Sequence, residues 1–413
     1  MSLLQRFPAA EPVEAGALVE RLRAEPPGGR LTVGDPRIVE FVTKFARKLL
    51  APATARRFPE LASLGFSLRK GEIAKALSTL DSSAELRFPR GLVFHVPPAN
   101  VDTIFVYSWA LSALAGNANV VRVSSRSAGA AEAVLDALNA ALSEVDPATA
   151  ATVAATQRMV TYDRSDEISG ALSLAADLRV IWGGDASVAA LRRYPLAPHA
   201  RDLTFPDRSS FAIVSVRGWQ QASAAERRAA AEGFYNDSYW FDQAACSSPR
   251  AVFWVGEAEA ARVAGQEFRT LLAAVLAAKQ HVTDPAMAVQ KRVSAYGAAA
   301  DGAVTAVSFS GGDGLATLEL AAPEALPREW LGAGTFGTAH VGSLAELVPI
   351  VVRKDQTVGQ FGFTETELTE FVTALAGRGV DRVVPFGSAL TFSAIWDGYD
   401  LLAEFSRLVT VRA

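Results

Sequence analysis

Residues 91–127 read GLVFHVPPANVDTIFVYSWALSALAGNANVVRVSSRS, and this stretch decides the fold class. The β-branched and aromatic run Leu92–Val96 predicts a strand, which a pair of prolines ends. Val101–Ala115 predicts a buried helix, and Asn119–Val123 predicts the next strand. A strand, a helix and a strand of these lengths are typical of a βαβ unit with parallel strands.

Strands and helices continue to alternate after this unit, in two series. In the first series we expect a helix at Ala128–Leu142 and strands at Arg158–Tyr162 and Leu178–Trp182. The glycine-rich stretch Ser310–Gly314 predicts a hairpin turn within the second series. The second series is expected to run through strand Phe211–Val216, helix Ala222–Tyr235, strand Ala251–Val255, helix Val263–Lys279, and strands Ala303–Phe309, Thr317–Leu320 and Gly337–Val341.

The first ninety residues look helical and polar. Asp35 followed by Pro36 predicts a helix start, and Ile38–Leu50 carries a helical apolar stripe. We therefore expect an α/β protein with two Rossmann-like parallel-sheet domains and an N-terminal helical segment. The expected bounds are 1–208 for the helices and first sheet, 209–385 for the second sheet, and 386–413 for a tail that packs back.

Composition excludes several classes of protein. Half of the 413 residues are hydrophobic, a fifth are charged, and the net charge is −4. There is no basic tail, so nucleic acid is not an expected partner. The longest apolar tract, Ile104–Ala115, is too short to cross a bilayer, and no signal peptide is apparent. We therefore expect a cytoplasmic protein without a membrane span.

Cys246 is the only cysteine of the chain. It lies in a polar, small-residue stretch before the expected strand Ala251–Val255, and loops above a rigid scaffold are common places for nucleophiles. The alternative is that the side chain packs as a small hydrophobe, as most isolated cysteines do. Position alone does not decide between these roles.

Asn100 lies near the start of the expected helix, so a simple N-cap is one role for it. The other is donation of its amide to a developing oxyanion, where one fixed donor lowers a barrier by roughly 3 kcal/mol. Both roles remain open on the residues alone.

Two strand ends could meet phosphates. Arg122, Ser124, Ser125 and Arg126 follow one strand, and guanidinium and hydroxyl groups donate hydrogen bonds to phosphate. A solvated strand end is the simpler interpretation. Gly183-Gly184 follows another strand, where glycine lets a backbone approach a pyrophosphate, although no Gly-x-Gly-x-x-Gly fingerprint occurs.

Other chemistry is disfavoured. The four histidines, His95 among them, show no metal-ligand spacing, so we expect no metal site. His95 is expected to be a hydrogen-bonded core residue and not a base. A Gly-x-Ser-x-Gly elbow is absent from the sequence, which disfavours a serine hydrolase.

Taken in order, these pieces resemble the aldehyde dehydrogenase superfamily. More narrowly, the chain is similar to the long-chain acyl-CoA reductases of bacterial luminescence, the LuxC-like family. The resembling stretches extend from residue 91 to about 402. They are Phe94–Val101, Ala115–Arg122, Gln243–Pro249 and Trp396–Asp400.

The resemblance implies roles for the two candidate catalytic residues. Cys246 falls at the family's nucleophile and Asn100 at its oxyanion-hole asparagine. Thr204 falls where hydrolytic aldehyde dehydrogenases have a glutamate that activates water, so an acyl-enzyme should persist. Asp202 and Asp207 are close enough in sequence to supply such a base instead.

The resemblance also implies a nicotinamide cofactor bound by the first domain. Arg122 takes the place of a cofactor-binding lysine, and Gly183 and Gly184 match the turn near the pyrophosphate. Ser125 stands where NAD-preferring members tend to have glutamate, and Arg126 follows it. This combination favours NADPH (NADP⁺) over NADH.

The expected function is therefore NADPH-dependent reduction of an acyl-CoA, or of another carrier-bound acyl thioester, to an aldehyde. The rivals are an aldehyde-oxidising or acylating dehydrogenase, and a cysteine acyltransferase or thioesterase that uses no nicotinamide. The resemblance also suggests a partner enzyme that delivers the acyl group, and a homo-oligomer is a further expectation. We expect Trp396–Asp400 to be a packed turn with inward rings and capping carboxylates, although a role at the acyl tunnel or a dimer contact stays open.

Overall fold

The structure is a computed structural model that describes residues 2–80, 85–98, 104–124 and 129–412. The chain divides into two compact units, the first formed by residues 1–206 and 392–413 and the second by residues 207–391. The divisions expected after residues 208 and 385 lie two and six residues from these.

A seven-stranded sheet is the centre of the first unit, in the order β2-β1-β6-β5-β4-β7-β8. The five strands from β6 to β8 in that order run parallel, and β1 and β2 are antiparallel additions. The strands are β1 (Ser2–Phe7), β2 (Glu11–Glu14), β4 (Leu92–Val96), β5 (Ala118–Arg122), β6 (Gln157–Thr161), β7 (Leu178–Trp182) and β8 (Arg201–Phe205), and β3 (Leu86–Pro89) lies outside this sheet.

The chain enters the parallel part at β4 and adds β5 and β6 on one side, then β7 and β8 on the other. The direction of addition therefore reverses at β4, whose residues are all buried. His95 of β4 lies between Val121 of β5 and Val180 of β7. In open α/β sheets, ligands bind at the carboxyl ends of the strands beside such a reversal.

The first ninety residues are not purely helical, which corrects the prediction for their beginning. Leu3 of β1 pairs with Val13 of β2, and Leu4 pairs with Thr161 of β6. Leu3, Gln5 and Phe7 are buried while their neighbours are more exposed, so the strand has a two-residue period that six residues display only weakly.

Helices cover the first sheet. α2 begins as expected, with Asp35 accepting a hydrogen bond from the Arg37 N–H and Pro36 as the first helical residue. Trp109 of α6 packs edge-on against Phe41 and Phe45 of α2, which joins these helices in one core. The helices are α1 (Ala15–Arg23), α2 (Pro36–Leu49), α3 (Pro52–Arg57), α4 (Pro59–Ser67), α5 (Lys70–Ser78), α6 (Ile104–Leu114), α7 (Ala130–Leu142), α8 (Pro147–Thr156), α9 (Asp166–Ala175) and α10 (Asp185–Arg192).

The second unit has its own seven-stranded sheet, in the order β11-β12-β13-β10-β9-β14-β15. All pairs are parallel except the hairpin of β11 and β12, whose turn follows Ser310 as predicted. The strands are β9 (Ser209–Ser215), β10 (Pro249–Val255), β11 (Val304–Ser310), β12 (Leu315–Leu320), β13 (Thr335–Val341), β14 (Asp355–Phe361) and β15 (Arg382–Pro385).

The second sheet also carries helices. Ser223 and Glu226 form a capping box at the start of α12, and Phe234 of α12 packs against Phe268 of α13. The helices are α11 (Val216–Gln221), α12 (Ala224–Tyr239), α13 (Ala258–Ala278), α14 (Pro285–Ala300) and α15 (Glu365–Leu375), with 3₁₀ turns at Pro323–Ala325 and Leu344–Leu347.

The end of the chain returns to the first unit. β16 (Ile395–Trp396) and β17 (Tyr399–Asp400) form a hairpin whose two central residues both have positive φ, as a type I′ turn requires. Trp396 is buried, and Asp400 caps α16 (Leu401–Glu404), so the packed-turn prediction is confirmed. The last strand, β18 (Ser406–Val409), pairs with β3.

Candidate active site

Cys246 lies in a tight turn immediately before β10. The turn comprises residues 245–248, hereafter the Cys246 turn, and is closed by the Ser248 N–H donating to the Ala245 carbonyl at 3.0 Å. Cys246 is partly exposed, whereas Ser247 and Ser248 are buried. The cysteine therefore lies at the amino edge of the second sheet, on a backbone fixed by the turn, and the residue is partly exposed.

Ser210 anchors this turn to the sheet. Its hydroxyl donates to the Cys246 carbonyl at 2.7 Å and accepts the N–H of Thr357 at 3.1 Å. Ser210 belongs to β9 and Thr357 to β14, so one buried hydroxyl joins the cysteine backbone to two adjacent strands.

Gln243 holds the chain just before the turn. Its side-chain amide donates to the carbonyls of Pro249 and Thr335 at 2.7 and 3.0 Å, and its oxygen accepts the Thr335 N–H at 3.0 Å. The residue is 1% exposed and has φ of +59°, next to Asp242 at +49°. Two successive non-glycine residues in the left-handed region are uncommon and require such support from their surroundings.

Asp237 links the turn to another segment. Its carbonyl accepts the Ser248 hydroxyl at 2.6 Å, while its buried carboxyl accepts the N–H groups of Gly387 and Ala389 at 2.7 and 2.9 Å. Burial raises the pKa of this carboxyl to about 7, and the backbone donors act in the opposite direction. The group therefore titrates near neutral pH within the support of the Cys246 turn.

Arg250 places a positive charge at the start of β10, just after the Cys246 turn. It is the second residue of β10, is 7% exposed, and donates one N–H to the Arg328 carbonyl. Burial lowers the pKa of its guanidinium, and the negative charges of Asp207, Glu329 and Cys246 raise it. A buried cation thus lies four residues after the cysteine, at the start of β10.

The other candidate catalytic residue, Asn100, lies outside the described residues. Both roles considered for it, helix cap and oxyanion donor, remain predictions. The same holds for Ser125 and Arg126 among the candidate cofactor residues.

Arg122 and Ser124 lie at the carboxyl end of β5, as expected. Arg122 is the last residue of the strand, and its guanidinium stacks over the ring of Tyr162 with 4.7 Å to the ring centroid. Both residues are partly exposed. Since β5 is adjacent to β4, they stand beside the reversal point of the sheet.

Gly183 and Gly184 follow β7 on the other side of β4. Gly184 caps α10 with φ of −61°, a conformation open to any residue, and an added Cβ would meet no atom within 4 Å. Neither backbone geometry nor packing therefore requires glycine at 184. Asp185 is the first residue of α10, and its carboxylate would compete with a phosphate for the positive helix end.

His95 is a core residue, as predicted. It is 1% exposed, and its two ring nitrogens make 2.8 Å hydrogen bonds with the Ser108 hydroxyl and the Asn119 side-chain oxygen. Burial lowers its pKa to about 4, so the ring is neutral at physiological pH.

Asp202 and Asp207, the two carboxylates that could act in place of a water-activating glutamate, each bind a cation. Asp202 of β8 binds Arg179 of β7 through two hydrogen bonds of 2.7 and 3.0 Å. Asp207 pairs with Lys354 at 2.7 Å. Thr204 lies between them on β8 and is partly exposed.

Sequence reasoning missed Ser210, Gln243 and Arg250. Gln243 and Arg250 flank Cys246 within eight residues, so polar residues around a candidate nucleophile were a usable signal. Ser210 offered less, because only the pairing of β9 with β10 and β14 reveals what its hydroxyl contacts. Across the described ranges, no group of three His, Cys, Asp or Glu side chains could hold a metal ion, and no helix is long and apolar enough to cross a membrane.

The family model "Acyl-CoA reductase (LuxC)" matches residues 67–309, more than half of the chain. The chain belongs to this family. Membership in the LuxC family confirms the resemblance drawn from the sequence and supports an oxidoreductase that acts on acyl or aldehyde groups. A comparison with curated proteins found no match.

Solved aldehyde dehydrogenases share the fold of this LuxC-family chain. KauB from Pseudomonas aeruginosa is 13% identical with a TM-score of 0.65, covering 99% of this chain and 92% of that one. An NAD-dependent aldehyde dehydrogenase from Sinorhizobium meliloti is 12% identical with a TM-score of 0.66, covering 96% and 86%. Aldehyde dehydrogenase 21 from Physcomitrella patens, solved with the reaction product succinate, is 12% identical with a TM-score of 0.65, covering 98% and 92%. The predicted aldehyde dehydrogenase-like α/β fold is confirmed.

Proposed function

We propose that this chain reduces an acyl thioester, such as a fatty acyl-CoA, to an aldehyde with NADPH, through an acyl-enzyme on Cys246. The observation that carries the proposal is the built support of the Cys246 turn in a member of an acyl-CoA reductase family. Ser210 and Gln243 fix its backbone from three strands, while Cys246 itself stays partly exposed. A small hydrophobe filling a core would need neither feature.

In the first step, the Cys246 thiolate attacks the thioester carbonyl and forms a carbon–sulfur bond. The oxyanion of this tetrahedral adduct needs fixed donors, for which the Cys246 N–H and the Asn100 amide are the candidates. Collapse breaks the bond to the carrier thiol, which leaves as a thiolate and is then protonated. The acyl group is then held on Cys246.

In the second step, the acyl group is reduced. NADPH, if held by Arg122, Ser124 and the Gly183-Gly184 turn, would supply a hydride to the acyl carbon, a two-electron reduction that leaves NADP⁺. The bond to Cys246 then breaks and releases the aldehyde together with the regenerated thiolate. Overall, one thioester, one NADPH and one proton give one aldehyde, one free thiol and one NADP⁺.

The carboxyl edge of the first sheet suits a dinucleotide. Arg122 and Ser124 stand beside the reversal point on one side, and Gly183 and Gly184 on the other. Close approach of a ligand accounts for a glycine at 184 that the protein's own packing does not need. We assign the adenosine end to Arg122, Ser124, Ser125 and Arg126, and the pyrophosphate to the two glycines.

Preference for NADPH over NADH rests on charge. The guanidinium of Arg122 is held on the Tyr162 ring and can face a 2′-phosphate, and Arg126 adds a second positive charge nearby in sequence. Hydrolytic oxidation is the weaker candidate, because Asp202 and Asp207 are already bound to cations.

The proposal is tested by mixing the protein with long-chain acyl-CoA and NADPH and following NADPH absorbance. Cys246→Ala should abolish the decrease in absorbance. When NADPH is omitted, mass spectrometry should detect an acyl adduct on the wild-type protein. Undiminished turnover in Cys246→Ala would refute the mechanism. Thiol release without NADPH consumption would instead support the thioesterase or acyltransferase alternative.

A further inference from the structure

Arg57, the last residue of α3, carries a charge that no carboxylate in the described part of the chain neutralises. The residue is exposed, and its guanidinium lies over the ring of Phe58, with 5.0 Å to the ring centroid. Stacking of this kind covers one face of the guanidinium, so the N–H groups along its edge remain able to donate to an anion.

Phe58 holds this guanidinium beside the start of α7. A Cβ built on Gly129, the N-cap of α7, would lie 3.6 Å from the nearest carbon of the Phe58 ring, which is ordinary van der Waals contact. Phe58 and Ala130, the first residue of α7, also pack against the same hydrophobic core. These contacts fix the place of Arg57 on the first unit.

The start of α7 adjoins the candidate adenosine site. β5 pairs in parallel with both of its neighbours and ends at Arg122, and the connection that follows it leads to Gly129. Such a connection lies at the carboxyl edge of the sheet, where ligands of open α/β sheets bind. Arg122 and Ser124 lie at the first end of this connection, and Arg57 lies, through Phe58, at its second end.

We propose that Arg57 binds the 2′-phosphate of NADPH and thereby discriminates against NADH. The inference rests on the proposed function, since it concerns the cofactor of that reaction. A phosphate monoester carries about two negative charges at neutral pH, and the planar edge of a guanidinium can donate two hydrogen bonds to it. NADH has a hydroxyl group at this position and offers no anion. Arg57 from α3 and Arg122 from β5 then compensate one phosphate from two sides.

Arg69 provides a matched comparison for Arg57. Its guanidinium lies over the ring of Phe66, 3.3 Å from the centroid, so it forms the same kind of stack. Phe58 precedes α4 and Phe66 lies in its last turn, so about 12 Å of helix separates the two rings. Arg69 also pairs with Glu72 at 3.8 Å. It is therefore a stacked, exposed arginine that lies away from the start of α7.

Isothermal titration calorimetry of the full chain with NADPH and with NADH tests the inference. In Arg57→Met, the Kd for NADPH should rise about tenfold, because a charge-assisted hydrogen-bonded pair is lost. The Kd for NADH should change by less than about twofold, since the lost partner is absent from NADH. Arg57→Lys should recover part of the affinity for NADPH, because it keeps the charge without the planar pairing. Arg69→Met should leave both constants unchanged.

Phe58→Leu is a second variant, in case Arg57→Met does not fold. It removes the ring that holds the guanidinium in place, and the affinity for NADPH should fall about threefold while that for NADH stays the same. Circular dichroism shows whether each variant is folded.

An unchanged Kd for NADPH in folded Arg57→Met would overturn the inference. An equal loss of affinity for NADPH and NADH would also overturn it, because Arg57 would then contact a part that both dinucleotides share. The titration needs neither thioester nor turnover. Its failure is therefore distinguishable from failure of the proposed function, which is decided by the turnover of Cys246→Ala.

Discussion

Replacing Gln243 by leucine tests whether its side chain holds the Cys246 turn in place. The substitution keeps the approximate volume but removes three buried hydrogen bonds, two to the carbonyls of Pro249 and Thr335 and one from the Thr335 N–H. That N–H also reaches the Gly332 carbonyl at 3.2 Å, so the loss comes mainly from the two carbonyls. At about 1 kcal/mol for each, the turn should lose about 2 kcal/mol of local stability.

Amide hydrogen exchange measured by mass spectrometry is the appropriate assay, because the two units need not unfold in one step. A loss of about 2 kcal/mol corresponds to roughly thirtyfold faster exchange by local opening. Peptides covering residues 241–250 and 333–341 should both show it, since Gln243 joins these segments. Turnover should fall as well, because small displacements of a nucleophile are costly.

Gln290→Leu is the control. Gln290 is exposed on α14 and makes a single side-chain bond, to the Ser294 hydroxyl at 3.1 Å, so its loss should leave exchange near Cys246 unchanged. Exchange in Gln243→Leu that equals the wild-type rate in both peptides would refute the role assigned to Gln243.

Three further predictions concern pH, charge and cofactor. Burial raises the pKa of Asp237 to about 7 in the folded chain, above its unfolded value, so the folded state binds more protons near neutral pH. The free energy of unfolding should therefore fall by about 1 kcal/mol from pH 6 to pH 8, and thermal unfolding of Asp237→Asn should lack this pH dependence. Asp202→Ala leaves Arg179, which is 1% exposed, without its carboxylate, and should lower the free energy of unfolding in denaturant by roughly 3–5 kcal/mol. A decrease of less than about 1 kcal/mol would contradict the role of this buried pair. Gly184→Ala should weaken NADPH binding in a tryptophan fluorescence titration while the melting temperature stays unchanged, because a Cβ at 184 meets no atom of the chain; unchanged affinity would argue against a dinucleotide at this turn.

The strands that sequence patterns predicted best are those buried on both faces. Leu92–Val96 and Leu178–Trp182 have the predicted bounds because a mostly apolar run, interrupted only by His95 in the first and Arg179 in the second, is ended by proline or glycine. β14 was missed, since its sequence DQTVGQF is mostly polar although its first five residues are buried. Asp355 at its start is satisfied by Arg328, a partner 27 residues away that no local pattern reveals.

The candidate site also has one part that a local sequence pattern predicted and another part that it did not. Cys246 was found from a local signal, a lone cysteine in a polar loop before a strand. The distant residues that fix it were not, because Ser210 contacts Cys246 from 36 residues away and Thr335 contacts Gln243 from 92 residues away, and parallel strand pairing brings them there. Local patterns thus identified the reacting group, whereas its support depends on contacts that form after the chain has folded.

The choice between reduction and hydrolysis rests on three nearby positions, 202, 204 and 207, and the structure shows what the two carboxylates among them bind. Threonine at 204 cannot serve as a base near neutral pH, and from sequence alone Asp202 and Asp207 stood close enough to replace it. Each of those carboxylates instead has a cation as partner, Arg179 for Asp202 and Lys354 for Asp207. Because each carboxylate is engaged by a cation, this arrangement favours the proposed reduction of an acyl-enzyme over its hydrolysis.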